Sequence, residues 1–338
     1  MHVLLAGHIT KDITTEGLEV LGGPVSFAGI TLAKRHHSVT VVTIADPESP
    51  LLDELRSYGI EVINFGRTDE VVTTFVNRYD SHGNREQHVQ AVARPFDQDQ
   101  INQLTNASFG RQKVMILPVA NEVPSQMFSQ LREVNANIIT APQGSLRRWG
   151  ENGKVYHVPF DDDYLNALTF CQLVTISRED MEGFSPLQTQ RFLEQSAKTI
   201  VVTDGMHGAS IHFQNGPKID VPAFQLTNEE NERGFLTGNG DHMTAIIAER
   251  SPFPNGSNPE IYQSHMMIAV AQAAFETALK IIPRSGIEDG TMSIRTMDDV
   301  RLWSQSNIDR VRDYANQTNI DIRHFYDPEI SRPKEIYK

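Results

Sequence analysis

Cysteine is nearly absent from the chain: one residue, Cys171, in 338. A single thiol excludes an internal disulfide and any metal site built from several thiolates. It lies in the apolar run 167–174 and reads as a small buried hydrophobe. Positive charge is also short, with 30 Lys and Arg against 43 Asp and Glu, a formal net charge of −13. A non-specific nucleic-acid binder displaces counterions with a cationic surface, so nucleic acid is not an expected partner. No run approaches the ~20 apolar residues of a membrane-spanning helix, and a membrane partner is not expected either. The opening MHVLLAGHI is too short for a secretory leader with its flanks and reads as a first core strand. The expected setting is therefore cytoplasmic. Several signatures are missing: H-E-x-x-H, G-x-S-x-G, a G-x-G-x-x-G opening a first βα turn, and Gly-Lys-Ser/Thr closing a phosphate loop. These absences argue against zinc hydrolases, α/β-hydrolases, Rossmann dehydrogenases and P-loop NTPases. The twelve histidines form no ligand pattern, and the adjacent pair His36 and His37 reads as surface loop.

What is present is an alternation of short β-branched runs with helical patterns. Strands are expected at His2–Ala6, 38–44 and 60–65, with helices at 23–35 and 49–58 between them. Strand–helix–strand alternation implies a mostly parallel sheet covered by helices. Residues 70–95 break the rhythm with two extended patterns around a turn at 80–84, a hairpin signature. Residues 12–20 have the character of a further strand beside it, so a small β lid is expected over the main sheet. The alternation returns with strands at 112–117, 136–140, 173–176 and Thr199–Thr203, and helices at 124–134, 164–170 and 185–195. A hairpin then leads to a strand at 211–213. Two helices are expected between 241 and 282, broken at 251–259, the second apolar on most faces. One more helix is expected over 300–316, followed by a poorly packed end. The division is one large domain, 1–299, with lid strands from about 12–20 and 70–95, and a carboxy-terminal helical extension, 300–338.

The most informative segment is GFLTGNGDHMTA, residues 234–245. Glycines at a helix start let free backbone N–H groups converge, and the helix dipole favours an anion there. Asp241 on the first turn is placed to take a proton from a nearby hydroxyl, or to act only as a helix cap. Gly22-Gly23 precede a helix with Pro24 at its start. Thr203 and Gly205 follow a strand, where ligands of open α/β sheets bind, though a hairpin turn explains the glycine equally well. Asp12, Gln143, Arg147 and Arg148 also fall just past strands, where they bind a polar ligand or form plain turns. The acidic run 161–163 reads as a solvated or helix-capping stretch, with a divalent-ion role as the lesser alternative.

The order and separation of these segments resemble the ribokinase-like (PfkB) family of carbohydrate and nucleoside kinases, over about residues 1–290. Gly22-Gly23 is similar to the family's first signature. Thr73-Thr74 with Gly83-Asn84-Arg85 is similar to its lid, and Thr237-Gly-Asn-Gly-Asp241 to its Gly-Ala-Gly-Asp signature. The resemblance implies a three-layer α/β/α fold and an ATP-dependent kinase acting on a hydroxyl of a small sugar, polyol, cyclitol or nucleoside. It makes Asp241 the base and the amides of Gly238, Asn239 and Gly240 the anion hole. Asp12, Gly22, Gly23, Gln143 and Arg147 are then expected to bind substrate. Thr203, Gly205, Ser177 and Thr237 are expected at the nucleotide, with adenine near 265–273. Mg²⁺ is expected to arrive with ATP, Glu179 or Asp180 acting through water.

Three departures mark this chain: Asn239 replaces the usual Ala, Ser177 replaces an Asn, and Pro24–Phe27 lacks the Asn of many sugar kinases. They leave room for a degenerate kinase that binds nucleotide or sugar without turnover. The Gln143-Gly144 and Arg147 pattern is similar to an inositol- or nucleoside-kinase-like branch. Apolar lid residues such as Val71, Val72, Phe75 and Val76, with open strand edges, suggest a homodimer through the lid.

Overall fold

A computed structural model describes residues 1–14, 16–79, 85–111, 113–134, 137–228, 230, 237–252, 258–282 and 294–326. The amino-terminal part runs β1 (His2–Ala6), β2 (Thr10–Ile13), β3 (Glu19–Gly22), α1 (Pro24–Lys34), β4 (Ser38–Thr43), α2 (Pro50–Ser57) and β5 (Glu61–Asn64). The lid hairpin β6 (Thr73–Tyr79) and β7 (Arg85–Ala91) follows, then α3 (Gln98–Ser108), β8 (Lys113–Ile116), α4 (Gln126–Glu133) and β9 (Ile138–Thr140). A short α5 (Gln143–Leu146) leads to the hairpin β10 (Arg147–Trp149) and β11 (Val155–His157). Next come α6 (Asp162–Leu168), β12 (Leu173–Ser177), α7 (Pro186–Gln195), β13 (Thr199–Thr203), β14 (Ala209–Phe213) and β15 (Lys218–Val221). The carboxy-terminal helices are α8 (Asn239–Arg250), α9 (Pro259–Ile281), α10 (Met297–Ser306), α11 (Ile308–Thr318) and α12 (Arg323–Tyr326).

The main sheet has nine strands in the order β15-β14-β13-β12-β9-β8-β1-β4-β5, with only β14 and β15 antiparallel to their neighbours. Strand alternation explains why it is covered on both faces. In β1, Val3 and Leu5 enter the core beneath α1, α8 and α9, whereas Leu4 and Ala6 enter the core beneath α3, α4 and α6. The expected α/β/α layering is therefore present. The chain leaves β1 toward β4 and β5 on one side, then returns to build β8, β9, β12 and β13 on the other. That reversal opens a crevice beyond the carboxyl ends of β1 and β8, the usual ligand position in such sheets.

The lid is a separate four-stranded sheet in the order β3-β2-β6-β7. The expected single strand over 12–20 is instead the hairpin β2–β3, with β2 parallel to β6. The turn 80–84, with Gly83 and Asn84, lies outside the described residues. Asp161 caps α6 by accepting from the Tyr164 amide at 2.8 Å, as the acidic run suggests. Cys171 is buried and its thiol is pushed up by desolvation, which removes its nucleophilic form.

Two expectations are corrected. His37 is not a surface loop residue: it is half-buried and its Nε2 meets Glu249 Oε1 of α8 at 2.8 Å. The single helix expected over 300–316 is two helices, divided at Asn307; the end expected to be poorly packed is packed as far as it is described, to 326, while 327–338 lie outside the described residues. Val311, Tyr314 and Phe325 join the core beneath α8 and α9, and Phe325 meets the Phe275 ring edge-on at 5.4 Å. Aromatic burial of this kind gives a mostly polar segment its anchor. Phe325→Ala is expected to cost about 3 to 5 kcal/mol of stability, read from the urea midpoint. An unchanged midpoint would contradict this packing.

Candidate active site

Four loops meet beyond the carboxyl edge of the sheet. After β1, the His8 amide donates to Glu122 Oε1 at 2.9 Å, and the amides of Val119 and Ala120 after β8 donate to the same carboxylate at 3.0 and 2.8 Å. Glu122 is thus a buried anion solvated by backbone, which fixes the loops on either side of the crevice. His8 Nδ1 is 2.9 Å from Thr73 Oγ1, so the lid starts from the same point. After β9, Gly144 lies so close to residues 118–119 that a Cβ would meet Pro118 at 2.3 Å; only glycine lets α5 approach.

The helix α8 brings its first turn to this crevice. Gly238 caps it with φ +74°, and a Cβ there would lie 2.4 Å from the Phe27 ring of α1. Glycine is required twice over, by the left-handed backbone and by the ring. Asp241 is buried on the first turn and accepts from Gln143 Nε2 at 3.1 Å. The structure thus joins two residues 98 positions apart that the sequence places only at strand and helix ends. From the far side, Thr244 Oγ1 donates to Gly240 O at 2.8 Å and meets Thr175 Oγ1 of β12 at 2.6 Å. The first N–H groups of a helix lack intrahelical acceptors, so this turn presents donors toward an anion.

The lid and the loop after β1 form one wall of the crevice. Gly23, with φ +92°, sits where a Cβ would meet His8 O at 2.9 Å. A Cβ on Gly22 would meet the Asp12 carboxyl carbon at 2.6 Å, so the Gly pair lets β3 pass under Asp12. Asp12 Oδ1 accepts from Thr10 Oγ1 at 2.7 Å, and Oδ2 from Asn77 Nδ2 at 3.4 Å. Gln87 Nε2 donates to Asn77 Oδ1 at 2.9 Å, which sets the Asn77 amide with its NH₂ toward Asp12. Asp12, Asn77 and Gln87 continue along the lid face that carries Phe75 and Val89.

Arg147 braces the base of the lid: it lies over the Phe75 ring at 5.6 Å and donates to Val119 O at 3.0 Å. Arg148 turns back to carbonyls of Ser145 and Arg147.

Ser177 and Thr203 are paired neighbours at the ends of β12 and β13. Thr203 Oγ1 is 3.4 Å from Ile176 O, and Gly205 forms a turn at φ +50° with open space about its Cα. Asp180 is buried and accepts from the Ser177 hydroxyl at 2.6 Å, closing a local ring, while Glu179 is exposed. Among the described residues, no three His, Cys, Asp or Glu side chains come together to hold a metal ion. The donor set therefore does not form a metal cage. The stretch 265–273, where adenine is expected, is partly covered: His265 is exposed and Met267 and Ile268 are half-buried. Met266 and 269–273 are buried, Tyr314 donates to Ala271 O at 3.3 Å, and Gln272 donates to His324 O, so the carboxy-terminal helices pack on the later part of this stretch.

One group at the site escapes sequence reasoning altogether. Lys280, near the end of α9, is 1% exposed and donates to Thr237 O at 3.0 Å and Asn239 Oδ1 at 2.8 Å. Its one signal is that it is the single Lys or Arg of α9, a helix with a long apolar middle. His242, beside Asp241, faces inward to Thr277 Oγ1 at 3.2 Å, and burial pushes its imidazole well below the ordinary value. Burial also lowers the pKa of His8.

No protein-family profile matches the chain, and no curated protein matches it in sequence. Solved structures do. A pyrophosphate-dependent kinase in the ribokinase family, in complex with sulfate, superposes with TM-score 0.65 at 21% identity, over 87% of this chain and 99% of its own. A ribokinase from Thermotoga maritima superposes with TM-score 0.64 at 16% identity, over 90% and 99%. One from Giardia lamblia gives TM-score 0.66 at 12% identity, over 87% and 96%.

The two buried histidines make a prediction with a defined sign. Their folded-state pKa values lie below the unfolded 6.5, so the unfolded chain binds more protons as pH falls past that value, and stability is lost from pH 6.5 downward. The urea midpoint is expected to fall between pH 7 and 5, and less so in a His8→Gln, His242→Gln double variant. An equal fall in both proteins would contradict the assignment. Across nearly the whole chain, then, the polypeptide has the three-layer architecture and β lid of ribokinase-family kinases, with Asp241 and the first turn of α8 at its crevice.

Proposed function

We propose that this protein is a phosphotransferase that phosphorylates a hydroxyl of a small polyol or sugar, with Asp241 as general base. The observation that carries this reading is the placement of the buried Asp241 carboxylate on the first turn of α8, held by Gln143 from the loop after β9. In the reaction, the acceptor O–H gives its proton to the Asp241 carboxylate and its oxygen attacks the terminal phosphorus of the donor. The bond to the leaving phosphate oxygen breaks, and the leaving group keeps the electron pair. Charge on the transferring group meets the amides at 238–241, a preorganised arrangement that needs no reorganisation during the reaction. Gln143 orients Asp241 through one carboxylate oxygen. The carboxylate of Asp12 and the amides of Asn77 and Gln87 suit neighbouring hydroxyls. The lid excludes water, which otherwise competes as acceptor. Thr203, Ser177 and the Gly205 turn border the donor.

The donor has two readings. ATP with Mg²⁺ fits the resemblance to sugar kinases, Mg²⁺ coming with the nucleotide. Inorganic pyrophosphate is favoured by a specific observation: helices α11 and α12 pack on Ala271 and Gln272, within the stretch of α9 where adenine is expected. It also agrees with the similarity to pyrophosphate-dependent kinases, one of them complexed with myo-inositol at 21% identity.

The test is phosphoryl transfer to a panel of inositols, pentoses, hexoses and nucleosides, with ATP and with pyrophosphate. Asp241→Asn is expected to lower turnover by about a hundredfold or more while donor affinity stays within a few fold. Full activity in that variant would remove Asp241 as base. Binding without turnover by the unaltered protein across the panel would favour a degenerate kinase fold.

A further inference from the structure

We infer that Lys280 is a positioning residue of the phosphate site: its ammonium holds the Thr237–Asn239 turn from behind and supplies positive charge to donor phosphates bound on the other side. This rests on the proposed phosphotransferase reading and names a device of this chain within it. Lys280 emerges from α9 and meets α8 at its start, with Nζ 3.0 Å from Thr237 O and 2.8 Å from Asn239 Oδ1. The same ammonium lies 6.0 Å from the centroid of the Phe27 ring on which Gly238 rests. Lysine, turn and ring therefore form one stack beneath the amides.

Placing an ammonium there costs desolvation free energy, which its hydrogen bonds and the nearby Asp241 carboxylate oppose. An apolar side chain of similar length would fill the space without that cost. The charge acquires a use when phosphates sit across the turn. Few mobile waters screen it there, so its field reaches the anion. Asn239 gains a role as well. Where the resembling family has Ala, its carboxamide oxygen is the group that Lys280 holds, which fixes the side chain against the turn.

The electrostatic surroundings give the inference a readout. Burial lowers the Lys280 pKa to about 8, with Asp241 opposing the shift. The other titratable group beside it on α8, His242, is held neutral by burial, while Lys34 and Arg35 on α1 act on His242 from further away. Glu276, one turn back on α9, is ion-paired with Arg35 and Arg250. Among the described residues at this turn, Lys280 is thus the group that discharges between pH 7 and 9. Protonated Lys280 attracts the donor, so affinity carried by its charge is present below pH 8 and lost above it.

The experiment is calorimetric binding of inorganic pyrophosphate, without acceptor, to the unaltered full chain and to Lys280→Arg and Lys280→Met at pH 7 and pH 9. The ligand's own titration is common to all three proteins. At pH 7, Lys280→Met is expected to bind roughly tenfold or more weakly, the scale of one charge-assisted contact. Between pH 7 and 9, the unaltered protein is expected to lose affinity relative to Lys280→Arg, whose guanidinium stays charged. A constant ratio between those two proteins would overturn the inference even if Lys280→Met failed to fold. Absence of pyrophosphate and ATP binding to the unaltered protein would instead overturn the phosphotransferase reading itself.

Discussion

Everything at the crevice depends on how α8 is held. A helix start can serve as an anion site only if the helix cannot slide or roll, and α8 is fixed at both ends. At its carboxyl end, the buried Lys113 ammonium donates to the carbonyls of Ala248 and of Ser251, the latter at 2.8 Å, taking the place of water at the last turn. Burial lowers the Lys113 pKa to about 7, so this cap weakens in alkali. Beside it, Arg35 pairs with Glu249 and Glu276, and Arg250 with Glu276, in a buried ionic cluster linking α1, α8 and α9. Such clusters contribute little net stability but are strongly position-specific, because breaking one leaves a buried charge without compensation. At the amino end, Gly238 rests on Phe27.

The crevice itself follows from topology. Because β1 is central and the chain departs from it in both directions, the loops after β1 and β8 must diverge. Glu122 holds them apart at a set width by accepting amides from both sides. His8 passes this geometry to the lid through Thr73, and Arg147 does so through Phe75. The lid is therefore continuous with the crevice wall, and Asp12, Asn77 and Gln87 inherit their positions from it.

Much of this was legible in the sequence, for identifiable reasons. The β-branched runs of β1, β4 and β13 are buried on both faces and stand out by composition. Helix α3 did not, since QDQINQLTNAS carries only two large apolar side chains, Ile101 and Leu104, and is fixed by the Asp97 capping box. The Gly-Asn-Gly-Asp segment announced the helix start because glycine is needed there by φ and by contact. The pairing of Gln143 with Asp241 could not be read, because it depends on the order of strands rather than on spacing. Lys280 was missed for a related reason: its partners lie 41 and 43 residues away in sequence, across a helix–helix contact. Tertiary packing also reversed the reading of the carboxy-terminal segment, where a few aromatics outweigh a polar composition.

A net charge of −13 poses the question of how the protein would hold a polyanion. The answer offered by the fold is local: oriented backbone amides, a helix terminus and one buried ammonium, with little contribution from the surface. The measurement that tests this most directly is a crystal structure with a non-hydrolysable pyrophosphate analogue and a polyol such as myo-inositol. The account predicts the terminal phosphoryl group against the amides at 238–241, with a polyol hydroxyl between it and the Asp241 carboxylate. An analogue bound elsewhere, with the first turn of α8 left to solvent, would contradict it.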